Sequence, residues 1–174
     1  MPEWTRGVIL DLRNNPGGYK DEAEKVTSLF LDDSKLIASV VDRIGRTDVV
    51  AGNARPKEWK TIKNLPMVVL VNEGSASASE IVAGALKDHQ RALVLGTQTF
   101  GKGSVQTIIP IPGGQGLRLT TARYYTPNGT SIQAKGIIPD IIVPSRDIEE
   151  APQAEKTKES KFIREKDLKH HIQN

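Results

Sequence analysis

Met67-Val-Val-Leu-Val71, followed by Asn72-Glu-Gly-Ser75 and then by Ala78 to His89, decides the fold class. Five apolar residues in a row, closed by a polar turn, read as a buried strand. Ile81, Val82, Ala85 and Leu86 then recur at helical spacing and give the next segment an apolar face. The product is a strand, a turn and a helix. A second unit of the same kind lies upstream: Gly7-Val-Ile-Leu-Asp-Leu12 reads as a buried strand and Asn14-Asn-Pro-Gly-Gly18 as its turn. Asp21 to Asp32 follows, with Ala23, Val26, Leu29, Phe30 and Leu31 at roughly helical spacing. Two such units predict an α/β fold built on a parallel or mixed sheet flanked by helices.

The remaining segments fit around these two units. Lys35 to Arg43 alternates like a strand, and Asp48 to Lys63 reads as a polar, exposed excursion marked by Gly52, Asn53 and Pro56. Arg91 to Leu95 is a short strand, Gly96 to Gly103 a Gly-rich loop, and Val105 to Ile111 a strand closed by Pro112-Gly-Gly114. Leu117 to Tyr125 alternates as a half-buried strand does. Gly136-Ile-Ile-Pro-Asp-Ile-Ile-Val143 is interrupted by Pro139, which predicts an edge position. Residues 1–145 therefore read as one core. Residues 146–174, rich in Glu, Lys and Gln, read as a charged tail that is either solvated and loosely helical or a docking helix.

Composition narrows the chemistry. The 174 residues include 24 basic and 21 acidic side chains, and the stretch from Ser145 onward holds seven of each sign, so no basic stripe forms and nucleic acid is not the expected partner. With no Cys, thiol catalysis and thiolate zinc sites are excluded. Three scattered His residues and the lack of an H-E-x-x-H pair argue against a metal site, and no cofactor motif is complete. No apolar run approaches the roughly 18 to 20 residues of a membrane-spanning helix, and the first 18 residues lack a secretory pattern.

Two segments exceed what a scaffold needs. Gly74-Ser-Ala-Ser-Ala-Ser-Glu80 sets three hydroxyls where a strand gives way to a helix, a junction where a nucleophilic Ser finds an oxyanion donor in the next backbone N–H. Taken alone, Ser77-Ala-Ser-Glu80 is also a capping box, which accounts for it without catalysis. Gly96-Thr-Gln-Thr-Phe-Gly-Lys-Gly-Ser104 nearly matches a phosphate-binding loop, but Gly103 stands where a hydroxyl should hold magnesium and a β-like run follows where a helix should. The other reading gives Lys102 the part of a desolvated general base. His89 is the only histidine set for a Ser-His-Asp triad, and at a helix end it reads as a complement to the helix dipole.

With these segments in view, the chain resembles the carboxyl-terminal processing peptidases, or tail-specific proteases. The resemblance rests on Gly7-Val-Ile-Leu-Asp-Leu-Arg-Asn-Asn-Pro-Gly-Gly18, Asn72-Glu-Gly-Ser-Ala-Ser-Ala-Ser-Glu-Ile81, Gly96-Thr-Gln-Thr-Phe-Gly-Lys-Gly-Ser-Val-Gln106, Leu119-Thr-Thr-Ala-Arg-Tyr-Tyr-Thr-Pro127 and Gly136-Ile-Ile-Pro-Asp140, in that order. It implies a crotonase/ClpP-like peptidase core and a serine endopeptidase that cleaves proteins near their C-termini without a cofactor. By the same resemblance Ser77 is the nucleophile, Lys102 its base, Gln106 the residue that orients the base, and Asp88 a supporting acid. The amide of Ala78 with that of Gly17 or Gly18 would form the oxyanion hole. Unstructured protein C-termini are the implied substrates and the periplasm or cell envelope the implied location. Family members also carry a PDZ domain, further strands and a secretion signal or anchor ahead of the first strand, so the expectation is an N-terminally truncated core. A fragment that binds extended peptides without turning them over is the alternative.

Overall fold

The computed structural model describes residues 5–52, 64–144, 163–169 and 172. Two helices and two four-stranded sheets form among the described residues. The expected α/β class holds, with the two strand directions segregated. Strands β1 (Val8–Asp11), β4 (Met67–Val71), β5 (Leu93–Gly96) and β8 (Ile141–Ile142) make a parallel sheet in the order β1-β4-β5-β8. Strands β2 (Leu36–Asp42), β3 (Thr47–Ala51), β6 (Ser104–Ile111) and β7 (Gln115–Tyr125) make an antiparallel sheet in the order β3-β2-β7-β6.

Helix α2 (Ala78–Asp88) organises the core. Every residue from Ala78 to Leu86 is buried, and Val69 and Val71 of β4 join Ile81, Val82 and Leu86 in one apolar cluster. A fully buried Val, Leu or Ile side chain contributes about 1.5–3 kcal/mol, so this cluster fixes where α2 begins relative to the end of β4. That beginning is Ser77. Helix α1 (Lys20–Ser28) packs against α2 and is shorter than its apolar pattern suggests. Leu29 N–H and Phe30 N–H bond the carbonyls three residues back, Val26 and Thr27, which tightens the last turn and releases Phe30 and Leu31 into the core.

Four expectations need correcting. Gly7 to Leu12 is not buried throughout: β1 lies at a sheet edge, and its alternation leaves Ile9 72% exposed. Residues 48–51 are not an exposed excursion but belong to β3, whose Val50 is buried; residues 53–63 of that segment lie outside the described residues. Strand β7 is half-buried only from Ala122 to Tyr125, because residues 106–121 of β6 and β7 form a hairpin projecting from the core. Of Gly136 to Val143, only Ile141–Ile142 pairs as a strand, at the edge of the parallel sheet as the interrupting Pro139 requires. Within the charged tail, a 3-10 turn, Glu165–Asp167, docks on the core through the Glu165 N–H and the Phe100 carbonyl (3.1 Å).

Candidate active site

Ser77 sits at the N-cap of α2 with φ 55° and ψ −117°, a conformation that a β-carbon makes costly and that marks sites where the surrounding fold dictates the backbone. The cost is met by tight local bonding. Ser75 Oγ donates to the Leu12 carbonyl (2.7 Å) and accepts from Asn72 N–H (3.0 Å), and Ala76 N–H donates to the Asn15 carbonyl (3.0 Å). Asn14 and Asn72 also bond each other, Asn14 N–H to Asn72 Oδ1 at 2.8 Å and Asn72 Nδ2 to Asn14 Oδ1 at 2.9 Å. The turns after β1 and β4 are thus laced into one rigid floor beneath Ser77.

Ser77 and Glu80 stand in the capping-box relation, but the work is done by the carboxylate. Glu80 Oε2 accepts from Ser77 N–H at 2.8 Å, and the Ser77 side chain faces the Glu80 backbone N–H, which itself donates to the Ser77 carbonyl at 2.9 Å. Glu80 itself is fully buried, and its remaining contacts run to the Gly-rich loop: Thr99 Oγ1 donates to Oε1, as does Gly101 N–H (2.7 Å), and Lys102 N–H donates to Oε2 (2.9 Å). One carboxylate therefore ties the backbone of Ser77 to that of Lys102. Burial pushes its carboxyl above the ordinary range, against the opposing pull of these hydrogen bonds.

Lys102 is half-buried and forms no ion pair among the described residues, so its amine is not committed to a carboxylate. Gly17, at φ 89°, packs directly on the Ser77 corner: a β-carbon there would lie 2.5 Å from the Ala76 carbonyl oxygen and 2.7 Å from Ala78 N. The Gly17 N–H is spent on Asn15 Oδ1 at 2.9 Å. The Gly18 N–H makes no hydrogen bond among the described residues, and neither does that of Ala78, which opens α2. Beside these amides lies a cleft of about 170 Å³ lined by Leu12, Ala23, Val26, Ala78 and Val82, with Tyr19 and Glu22 also on its wall. A second cleft, about 640 Å³, runs along Asp11, Arg13, Leu70 and Leu95 and includes neither Ser77 nor Lys102.

Gln106, Asp88 and His89 form no hydrogen bond with Ser77 or Lys102 among the described residues. Gln106 is exposed at a bulge of β6 and has no hydrogen bond to Lys102 among the described residues. Asp88 ends α2, roughly 16 Å along the axis from Ser77 at about 1.5 Å per residue, and accepts from Asn128 N–H at 2.9 Å. His89, beyond it, bonds the Leu36 carbonyl through Nε2 at 2.6 Å, far from the Ser77 corner. Sequence reasoning saw Glu80 only as half of a cap and missed it as the link between the two segments. The Thr99 hydroxyl, which also accepts from Ile137 N–H at 2.7 Å, was likewise not visible beforehand.

Residues 2–143 match peptidase family S41. A carboxy-terminal-processing protease of Bartonella bacilliformis is 54% identical over 138 residues, which are 79% of this chain and 31% of that protein. The solved structure of a photosystem II D1 C-terminal processing protease aligns with a TM-score of 0.74 and 38% identity over 80% of this chain and 35% of the other. A lipoprotein from Streptococcus agalactiae shares the fold at 22% identity and a TM-score of 0.68, with 82% of this chain and 52% of that one covered. The chain thus spans about a third or less of the length of the curated relatives it matches.

Proposed function

The chain belongs to peptidase family S41, and from that premise we propose that it carries the catalytic core of a serine endopeptidase that cleaves proteins near their C-termini with a Ser77–Lys102 dyad. The observation that carries this reading is the strained Ser77 at the N-cap of α2, its backbone joined through Glu80 to that of Lys102. A plain N-cap needs neither the strain nor the link.

In the proposed reaction, Ser77 Oγ forms a bond to the scissile carbonyl carbon while its proton passes to neutral Lys102 Nζ. The developing oxyanion is held by the N–H groups of Ala78 and Gly18, since Gly17 already donates to Asn15. Lys102 then returns the proton to the leaving amine as the C–N bond breaks, leaving an acyl-enzyme. Water attacks that ester, giving its proton to Lys102, which passes it back to Ser77 Oγ as the new C-terminus departs. The apolar cleft of Leu12, Ala23, Val26 and Val82 next to the oxyanion donors suits a modest apolar side chain of the substrate. Gln106 would orient Lys102 once substrate is bound, and Asp88 would support the base only indirectly, through the turn it bonds. The proposed substrates are proteins with unstructured C-termini, and the proposed setting is the cell envelope; no described helix is long and apolar enough to cross a membrane.

The test is cleavage of a protein bearing an unstructured C-terminal extension. Exchange of Ser77 or Lys102 for Ala should abolish it without loss of the folded state. Equal cleavage by Ser77→Ala and the parent chain would overturn the assignment. Peptide binding that survives with no Ser77-dependent cleavage would favour a binding module.

A further inference from the structure

The loop that carries Lys102 is held from two sides, and the mechanism above uses one. Opposite Glu80 lies Gln133, fully buried, whose Oε1 accepts from Gly103 N–H at 3.1 Å, one residue beyond the base. The contact is close all along this edge: Ala134 N–H donates to the Gly101 carbonyl at 2.8 Å, and a β-carbon on Gly103 would lie 2.4 Å from Gln133 N. Gln133 Nε2 points the other way and donates to Glu165 Oε1 at 3.2 Å. The 3-10 turn that carries Glu165 touches the same loop twice more, through Glu165 N–H to the Phe100 carbonyl (3.1 Å) and Arg164 Nη1 to Gln98 Oε1 (2.7 Å). A buried side-chain amide thus spans the gap between the C-terminal segment and the backbone of the base.

We infer that Gln133 is a positioning residue for Lys102 and that docking of Ile163–Leu168 through Glu165 sets its position, so that the Ser77–Lys102 dyad is aligned when the segment is docked and loosened when it is released. The inference rests on the dyad reading above. Its physical basis is that a side-chain amide has one acceptor end and one donor end. With Glu165 accepting from the donor end, the acceptor end is held on Gly103. Without Glu165 the donor end loses this acceptor, and the hold of the acceptor end on the Gly103 N–H loosens. A displacement of about 1 Å in a catalytic group costs on the order of 100-fold in rate.

The test uses the full chain with four variants. Glu165→Ala removes the acceptor; Glu165→Gln keeps an acceptor oxygen; Gln133→Glu keeps the hold on Gly103 but meets the Glu165 carboxylate with its own. The double variant Gln133→Glu, Glu165→Gln restores a hydrogen-bonded pair with donor and acceptor exchanged. Amide hydrogen exchange across residues 99–104 is the first readout and needs no activity. Glu165→Ala and Gln133→Glu should speed it about 10-fold, while Glu165→Gln and the double variant stay near the parent. Turnover of the extended substrate is the second: kcat should fall on the order of 10-fold in the first pair at nearly unchanged KM, and recover in the second. Exchange unaltered by Glu165→Ala, or changed equally by Glu165→Gln, would overturn the inference. Altered exchange in a chain that cleaves nothing supports the positioning link while counting against the peptidase reading, so the two fail separately.

Discussion

The backbone N–H groups of Ser77 and Lys102 share one acceptor, Glu80 Oε2, at 2.8 and 2.9 Å. The two nitrogens are therefore no further apart than the sum of those lengths, although 25 positions separate the residues in the chain. Replacing Glu80 by Gln keeps the shape but sets an NH2 group against donors. The expected result is a loss of about 1–3 kcal/mol in urea unfolding, together with a fall in kcat of order 100-fold from misplacement of the dyad. A variant that unfolds normally and turns over at the parent rate would show that the carboxylate is only a cap.

Glu80 also predicts a pH dependence in which stability and activity move in opposite directions. Its folded-state pKa is raised by burial, whereas in the unfolded chain it titrates near its ordinary value of about 4.3. Between those two values the folded protein binds a proton that the unfolded chain does not. The stability this group contributes is fully present below the ordinary value and is lost as pH rises through the raised one. Activity should do the reverse, since a protonated carboxyl becomes a donor among donors and releases one of its partners. Unfolding free energies measured against pH for the parent and Glu80→Gln isolate the group by difference. A parent whose stability relative to Glu80→Gln rises with pH across that window would refute the assignment.

Gly17 and Gly18 should respond differently to the same added methyl group. At Gly17 the β-carbon would meet the Ala76 carbonyl at 2.5 Å and Ala78 N at 2.7 Å, on a backbone with φ 89°. At Gly18 nothing lies within 4 Å. Gly17→Ala is expected to cost about 1–3 kcal/mol of stability. It should also lose on the order of 100-fold or more in kcat as the Ala78 amide shifts. Gly18→Ala keeps its N–H and should stay within about 0.5 kcal/mol of the parent in stability. Circular dichroism melting and steady-state kinetics on the pair read both effects.

Periodicity made β4 and α2 legible because apolar residues at strand and helix spacing carry that information locally. What it could not supply was the partner of each face. Ile108, Ile109, Leu117 and Leu119 alternate or cluster as sheet residues do, yet they are 40% exposed or more, since burial depends on what packs against the hairpin. Ser77 and Lys102 could be singled out by their setting. Glu80 could not, because its ligands Gly101 and Lys102 lie more than 20 positions away and meet it only after the sheet has formed. The difference between Gly17 and Gly18, a backbone angle and a hydrogen bond, is likewise not encoded in their identical side chains.

Asp88 tests how far a family resemblance can be carried residue by residue. Its carboxylate accepts from Asn128 N–H at 2.9 Å, in the turn that leaves β7, at the end of α2 remote from Ser77. The turn matters because Tyr124 N–H, just before it, bonds the Gly103 carbonyl at 2.7 Å, next to Lys102. Asp88→Ala should therefore cost about 1–3 kcal/mol, the usual loss when a charge-assisted hydrogen bond is removed. It should lower activity by reducing the folded fraction and the order of the β7 exit. Turnover per folded molecule is the deciding measurement. A support working through the Asn128 turn should be largely restored by Asp88→Asn, which keeps an acceptor for the Asn128 N–H; a role that needs the negative charge would stay lost in that variant.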